Sequence, residues 1–488
     1  MADVALTVNK MLVGGQWVES LSGRTFEVEN PATRKAITAV PRGDRDDVDR
    51  AVGIARTAFD KWRRVPARER GRLLLKIAED LEQRADEIGR LIALETGNAL
   101  RTQSRPEVIT SADVIRYFGA AASELKGETI PLGEGLLNYT RREPLGVVGG
   151  IIPWNSPVLL GALKIAMALT TGNTLVLKAA EDAPLAVLRM AQICQDHLPE
   201  GVLNVLTGFG DECGAPLALH PDVAAVTFTG STEVGKEIIR SAAGRVARVA
   251  LELGGKSPAI VFPDSDDDRV VDGVIAGMRF TRQGQSCTAG SRLFLHQDIF
   301  DSFLQKLTAK VEKLRMGDPL DEATDVGTLI NATQFERVTS YVEDGLGQGA
   351  KAVIGGTPNG TDRHPTGGLF VRPTVLIGVE NDWRIAREEI FGPVLVAIPW
   401  RDEDLAIRMA NQSHYGLAAY VWCRDISRAL RAAHEIQSGW VQVNRGGGIL
   451  PGMSYGGAKQ SGWGREYSID GAREAFTQVK NVTVNLDF

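Results

Sequence analysis

The sequence predicts an α/β protein: a doubly wound, parallel-sheet domain followed by a second α/β domain. Three observations carry this expectation. Short apolar runs closed by Gly or Pro recur from Gly146 to Asp264, helical stretches separate them, and the same alternation returns after Asp264. Short, fully apolar runs are what a parallel sheet covered on both faces requires, and the intervening helices are its crossovers.

The elements follow in chain order. From Asp44 to Thr96 the chain is charged and helix-forming, with Leu74, Ile77, Ala78, Leu81, Ile88, Leu91 and Ile92 at helical spacing, so these helices are expected to cover a sheet. The runs GVVGGIIPW, NTLVLKAAED, GVLNVLTG, AAVTFTG, VARVALELGG and SPAIVFPD read as parallel strands, with crossover helices at Val158–Thr171 and Pro184–His197. Beyond Asp264, Ile299–Leu314 is an amphipathic helix, and further strands are expected near Val394–Ile398, Ala418–Trp422 and Gly439–Asn444. In the tail Thr477–Leu486, Val479, Val482, Val484 and Leu486 alternate with polar residues, which predicts a strand. A strand at a chain end needs a partner, another subunit being one source, so a homo-oligomer is expected.

A chain of 488 residues exceeds one ordinary core and points to two or three domains. Its 55 Lys and Arg against 61 Asp and Glu leave a formal charge of −6, with no basic block to draw it onto nucleic acid or anionic lipid. No apolar run approaches the ~20 residues of a bilayer span, and MADVALTVNK lacks the basic start and apolar stretch of a secretion signal. Cys194, Cys213, Cys287 and Cys423 are spread without paired spacing, which suits a reducing compartment, and a cytoplasmic location is expected. No Cys/His spacing of a zinc site occurs, so no metal is expected.

Several residues fall at strand ends or in adjoining loops. Cys287 lies in the polar stretch Gln283-Gly284-Gln285-Ser286-Cys287-Thr288, where a thiol is reachable, although taken alone a small core hydrophobe is the commoner reading; Cys194 and Cys423 keep that reading and Cys213 stays undecided. Glu252 closes an apolar strand at the sheet's carboxyl edge, where open α/β sheets put ligands; apolar neighbours raise a carboxylate's pKa towards the range of a general base, although a solvated cap is the alternative. Asn155, held between Pro153 and Pro157, could donate to a developing oxyanion or be a turn residue. Phe228-Thr229-Gly230-Ser231 opens a helix, giving either a diphosphate cradle on free N–H groups or a simple turn. Lys178 and Glu181 end another strand, within reach of ribose hydroxyls or simply solvated.

Six motifs in order, PWNSP at 153–157, FTGSTEVG at 228–235, LELGGKSP at 251–258, GQSC at 284–287, EEIFGPV at 388–394 and SGWGRE at 461–466, give the whole chain a resemblance to the NAD(P)-dependent aldehyde dehydrogenase superfamily of the hydrolytic type. The resemblance implies Cys287 as nucleophile, Glu252 as general base, and Asn155 with the Cys287 backbone N–H as oxyanion hole. Glu466 and Lys164 match a carboxylate and a lysine that move protons. Ile151, Pro153, Trp154, Lys178, Glu181, Gly210, Gly214, Phe228, Gly230, Ser231, Leu253, Gly254, Glu389 and Phe391 are the implied cofactor contacts. Glu181 facing the ribose would repel a 2′-phosphate, so NAD is expected over NADP.

The implied division is a discontinuous NAD-binding domain (1–124 and 144–254), a catalytic domain (255–460) and a small β oligomerisation arm (125–143 and 461–488), assembled as a homodimer or homotetramer. Ser156 and Leu163 stand where several members carry aromatics and Tyr455 where Phe is common, which predicts a wider substrate tunnel near Asn155. Arg445 and the glycines 446–448 would lie at the entrance, suiting an aromatic, medium-chain or carboxylate-bearing aldehyde. The competing readings are transfer of the acyl group to coenzyme A, which needs no base to activate water, and a cysteine hydrolase, for which no motif pairs His197, His220, His296, His364, His414 or His434 with Cys287.

Overall fold

A computed structural model describes residues 8–357 and 367–487. His364 and the start of the N-terminal segment read above lie outside the described residues. Two large sheets organise the chain. The first has eight strands in the order Gln16–Val18, Met11–Val13, Leu203–Leu206, Thr174–Lys178, Val147–Ile151, Val223–Thr229, Arg248–Glu252 and Gly462–Trp463. Its central strands run parallel and its outer pairings are antiparallel. Side chains alternate between faces: Val147, Val176, Leu206 and Val226 enter one core, while Val148, Leu175, Leu177 and Val205 enter the other. Both faces are therefore covered, which is why these strands read as continuous apolar runs.

Helix Arg45–Trp62, capped by Asp44 in a reciprocal box with Asp47, covers the first of these faces, and Pro157–Thr170 covers the other. The expectation for Asp44–Thr96 holds directly only for its first helix. Ala67–Gln83 packs mainly on Arg105–Ala120, which packs on Pro157–Thr170, so it forms a second helical layer. An apolar stripe states that a face is buried, not whether a sheet or a helix buries it.

The second sheet has seven strands, in the order Lys351–Ile354, Thr374–Ile377, Val394–Trp400, Arg292–His296, Pro258–Val261, Ala418–Trp422 and Trp440–Val443. Ile260, Phe294, Val396 and Val421 face one core; Ala259, Leu293, Leu395 and Tyr420 face the other. The helix expected at Ile299–Leu314 is shorter, Phe300–Val311, with a tight turn before it.

The tail strand Thr477–Asn485 finds its partner within the chain. It pairs antiparallel with Leu136–Pro144, which pairs with Thr129–Pro131. Gly462–Trp463 instead joins the edge of the first sheet, and helix Ile469–Phe476 contacts Pro157–Thr170, so the arm-like sheet itself takes only the last part of 461–488. Among the described residues no helix is long and apolar enough to cross a membrane.

Candidate active site

Strand order in the first sheet locates the site. From Val147–Ile151 the chain adds strands on one side, through Thr174–Lys178 to Leu203–Leu206, and then crosses back to add Val223–Thr229 on the other. The connections leaving these two strands diverge and open a crevice at their carboxyl ends. A cavity of about 1050 Å³ begins there and extends to Cys287, at the upper end of ligand-cavity sizes. Pro153, Trp154, Asn155, Gly230, Ser231, Glu252, Leu253, Gly254, Cys287, Glu389, Phe391 and Glu466 all line it. The remaining expected residues, Ile151, Lys164, Lys178, Glu181, Gly210, Gly214 and Phe228, are not on its wall.

Cys287 is half-buried, in the loop that leads from the turn Phe280–Arg282 to strand Arg292–His296. The loop is drawn tightly against 253–258: a Cβ at Gly255 would sit 2.3 Å from the Cys287 carbonyl oxygen. Burial, then the charges of Glu389 and Glu252, push the thiol up to about 12, and a hydrogen bond from Tyr455 opposes them. Cys194, Cys213 and Cys423 are fully buried in cores. His414 also lines the cavity, but its ring lies on Tyr415 with centroids 4.1 Å apart.

Glu252 ends its strand and is 4% exposed, with neither carboxylate oxygen hydrogen-bonded among the described residues. Burial, then Glu466, raises it well above the ordinary carboxylate range, against the pull of Lys164 and Arg465. Lys164, fully buried on helix Pro157–Thr170, donates to Glu466 Oε1. Asn155 is 7% exposed; its Nδ2 donates to the Gln285 carbonyl at 3.0 Å, tying the amide to the cysteine loop.

Of the groups expected at a cofactor, Pro153, Trp154, Gly230, Ser231, Leu253, Gly254, Glu389 and Phe391 line the crevice. Ser231 caps helix Thr232–Ala243 by accepting from Val234 N, so this helix presents its N-terminus to the cavity, and the Phe228 ring lies against Gly230. Lys178 ends its strand, 2% exposed, and donates to Glu181 Oε2 at 2.6 Å. Gly210–Gly214 form a wide helical turn soon after strand Leu203–Leu206. Glu389 accepts from Gly255 N at 2.9 Å, and burial lifts it to about 7. Trp154 and Phe391 meet edge to face at 5.4 Å. A helix N-terminus facing a crevice at a topological switch point fits a dinucleotide.

Glu107, Arg282 and Arg279 are among the residues at the site that escaped the sequence reading. Glu107, 2% exposed, accepts from Val158 N at 3.0 Å and Leu159 N at 3.3 Å, capping the helix that carries Lys164. Arg282 donates to Gln103 Oε1 at 3.1 Å, donates to Ser156 Oγ and lies 3.7 Å from Glu107. The Ser156 hydroxyl is thus engaged by a guanidinium, and both residues line the cavity. No local pattern signals Glu107 or Arg282, because their partners are distant in sequence. Arg279 donates to Gly447 O at 2.9 Å and so holds the glycine loop whose Gly448 lines the cavity.

A half-buried thiol, a high-pKa carboxylate and a switch-point crevice thus meet in one cavity. Comparison with known proteins specifies the class. The model of the aldehyde dehydrogenase family matches residues 17–482. Over 479 residues the chain is 44% identical to hydroxyisobutyraldehyde dehydrogenase of Mycolicibacterium austroafricanum, covering 98% of this chain and 94% of that one. It is 40% identical to aldehyde dehydrogenase 1A1 of Gallus gallus over 492 residues, 100% and 95% of the two chains. The solved NAD⁺ complex of an aldehyde dehydrogenase from Bacillus cereus superimposes with a TM-score of 0.95 at 38% identity, covering 98% and 97%. The chain belongs to the aldehyde dehydrogenase family, and its reaction is the oxidation of an aldehyde.

Proposed function

We propose that the protein oxidises an aldehyde to the carboxylic acid with NAD⁺, through a covalent bond to Cys287. The observation that carries this reading is the shared cavity wall of Cys287 and Glu252 beside the switch-point crevice. The thiol proton leaves to water, and the thiolate attacks the aldehyde carbon. A C–S bond forms and the carbonyl electron pair moves to oxygen, where the Asn155 amide and the Cys287 N–H stabilise it. Bound nicotinamide supplies the hydride acceptor. Once the hydride has left carbon, Cys287 carries a thioester. Glu252, ionised, takes a proton from water as that water attacks the thioester; the C–S bond breaks and the carboxylate leaves. Glu466 and Lys164, buried behind Glu252, pass the proton outward.

Lys178 and Glu181 hold the adenosine ribose, Ser231 and its helix the diphosphate, and Glu389 and Phe391 the nicotinamide ribose and ring. Glu181 neutralises Lys178 and opposes a 2′-phosphate, which supports NAD over NADP; the B. cereus relative was solved with NAD⁺. The substrate is an aromatic, medium-chain or semialdehyde compound, a reading supported by the cavity size. The arm sheet supports a homodimer or homotetramer, since it exposes Leu136, Leu137, Val479 and Val484. Four free cysteines are consistent with the cytoplasm.

The test is reduced-nicotinamide formation with NAD⁺ or NADP⁺ and a panel of aliphatic, aromatic and carboxylated aldehydes. Activity without coenzyme A that vanishes in Cys287→Ala is expected. Activity surviving that substitution would overturn the cysteine mechanism, and equal efficiency for acetaldehyde and bulky aldehydes would overturn the substrate class.

A further inference from the structure

Tyr455 is the side chain set against the reactive sulfur. Its hydroxyl oxygen lies 3.8 Å from Cys287 Sγ. The residue is 4% exposed, and its ring is held edge to face by Trp440 and Tyr467, each with centroids at 5.6 Å. Its backbone is paired in both directions with Glu466, Tyr455 N to Glu466 O at 3.1 Å and Glu466 N to Tyr455 O at 2.7 Å. The hydroxyl is therefore placed by packing and by a backbone bridge, not by a free rotor at the end of a loop.

A sulfur anion in this cavity needs a donor. The nearby carboxylates Glu389 and Glu252 oppose it. The nearby cations are already engaged: Arg282 with Gln103, Ser156 and Glu107, and Lys164 with Glu466. We propose, building on the reading of Cys287 as nucleophile, that Tyr455 is a catalytic residue whose phenol O–H donates to the Cys287 thiolate, setting how much of the sulfur is ionised and where it points. The same donor receives the sulfur again when the thioester breaks.

No proton changes hands in this role. Burial, then Cys287, Glu252 and Tyr467, push the Tyr455 phenol well above its ordinary value, so it stays a donor while the sulfur ionises. The other titratable groups that face the pair are Glu389, Tyr420 and Arg282, with Glu466, Lys164 and Arg465 acting on Glu252. All of them remain when only the Tyr455 hydroxyl is removed.

The test is the pH dependence of Cys287 alkylation by iodoacetamide in the whole enzyme without substrate, with Cys287→Ala as the blank for the other thiols. Tyr455→Phe keeps the ring and its packing. The midpoint is expected to rise by about one pH unit, which is tenfold less thiolate at any pH below it, and the acid limb of kcat/KM is expected to move with it. Tyr467→Phe removes a phenol from the same ring cluster but not from the sulfur, and its midpoint is expected to stay near that of the parent. An unmoved midpoint in folded Tyr455→Phe, or equal shifts in both variants, would overturn the role of Tyr455. Undiminished turnover in Cys287→Ala would instead overturn the nucleophile reading on which it rests.

Discussion

Lys164→Met tests the buried charges behind Glu252. Lys164 and Glu466 side chains are 0% and 2% exposed, so water screens neither and the usual discount for surface pairs does not apply. Met keeps the length and apolar contacts of the lysine stem while deleting the ammonium. Among the described residues Glu466 is then left with the Thr227 hydroxyl at 3.4 Å as its remaining side-chain donor, a long contact that replaces little of what is lost. Removing one member of such a pair costs about 3–5 kcal/mol, whereas replacing both by apolar groups of similar volume is often neutral. Urea unfolding of the parent, Lys164→Met, Glu466→Met and the double variant forms a cycle whose coupling isolates the pair. The single variants are expected to lose about 3–5 kcal/mol each and the double variant far less than their sum. A loss under about 1 kcal/mol, or strict additivity, would refute the buried-pair account.

Other perturbations test separate parts of the site. Glu181→Gln should raise kcat/KM for NADP⁺ relative to NAD⁺ by roughly tenfold, about 1.4 kcal/mol, because it removes the charge facing a 2′-phosphate and frees Lys178; steady-state kinetics with both cofactors decide this. Glu107→Ala removes the acceptor at Val158 N and Leu159 N and should lower stability by about 2 kcal/mol, with Glu107→Gln losing less, as read by urea midpoints. Glu95, fully buried, accepts from Leu185 N and Ala186 N, and burial raises it from 4.5 to about 8. A folded value above the unfolded one means its contribution is full below pH 4.5 and is lost as pH rises towards 8. Urea midpoints should therefore fall across that window in the parent and fall less in Glu95→Gln.

The strands were legible because a sheet covered on both faces writes its burial into short apolar runs. Val147 and Val148, adjacent in sequence, enter opposite cores, and the run GVVGGII has no polar face to misplace. That Cys287, Glu252 and Asn155 would come to one cavity wall was legible because each sits where a strand or loop meets the sheet's carboxyl edge. Lys164 and Glu466 were named only through motif resemblance; no spacing rule connects residues 302 positions apart. Glu107 and Arg282 illustrate the physical limit. Glu107 accepts from a helix N–H 51 positions later, replacing a cap that Ser156 does not provide. Arg282 donates to Ser156 Oγ from 126 positions away, a contact that no local pattern announces. Side chains brought together by tertiary packing leave no local pattern.

The central claim is that Cys287 carries the acyl group and Glu252 activates the water that releases it. The most direct measurement is rapid mixing of Glu252→Gln with NAD⁺ and an accepted aldehyde, followed by intact and peptide mass analysis after acid quench. The account predicts a burst of about one equivalent of reduced nicotinamide per active site, near-zero steady turnover, and an acyl adduct on the Cys287 peptide. Sustained turnover without an adduct, or an adduct on another residue, would contradict it.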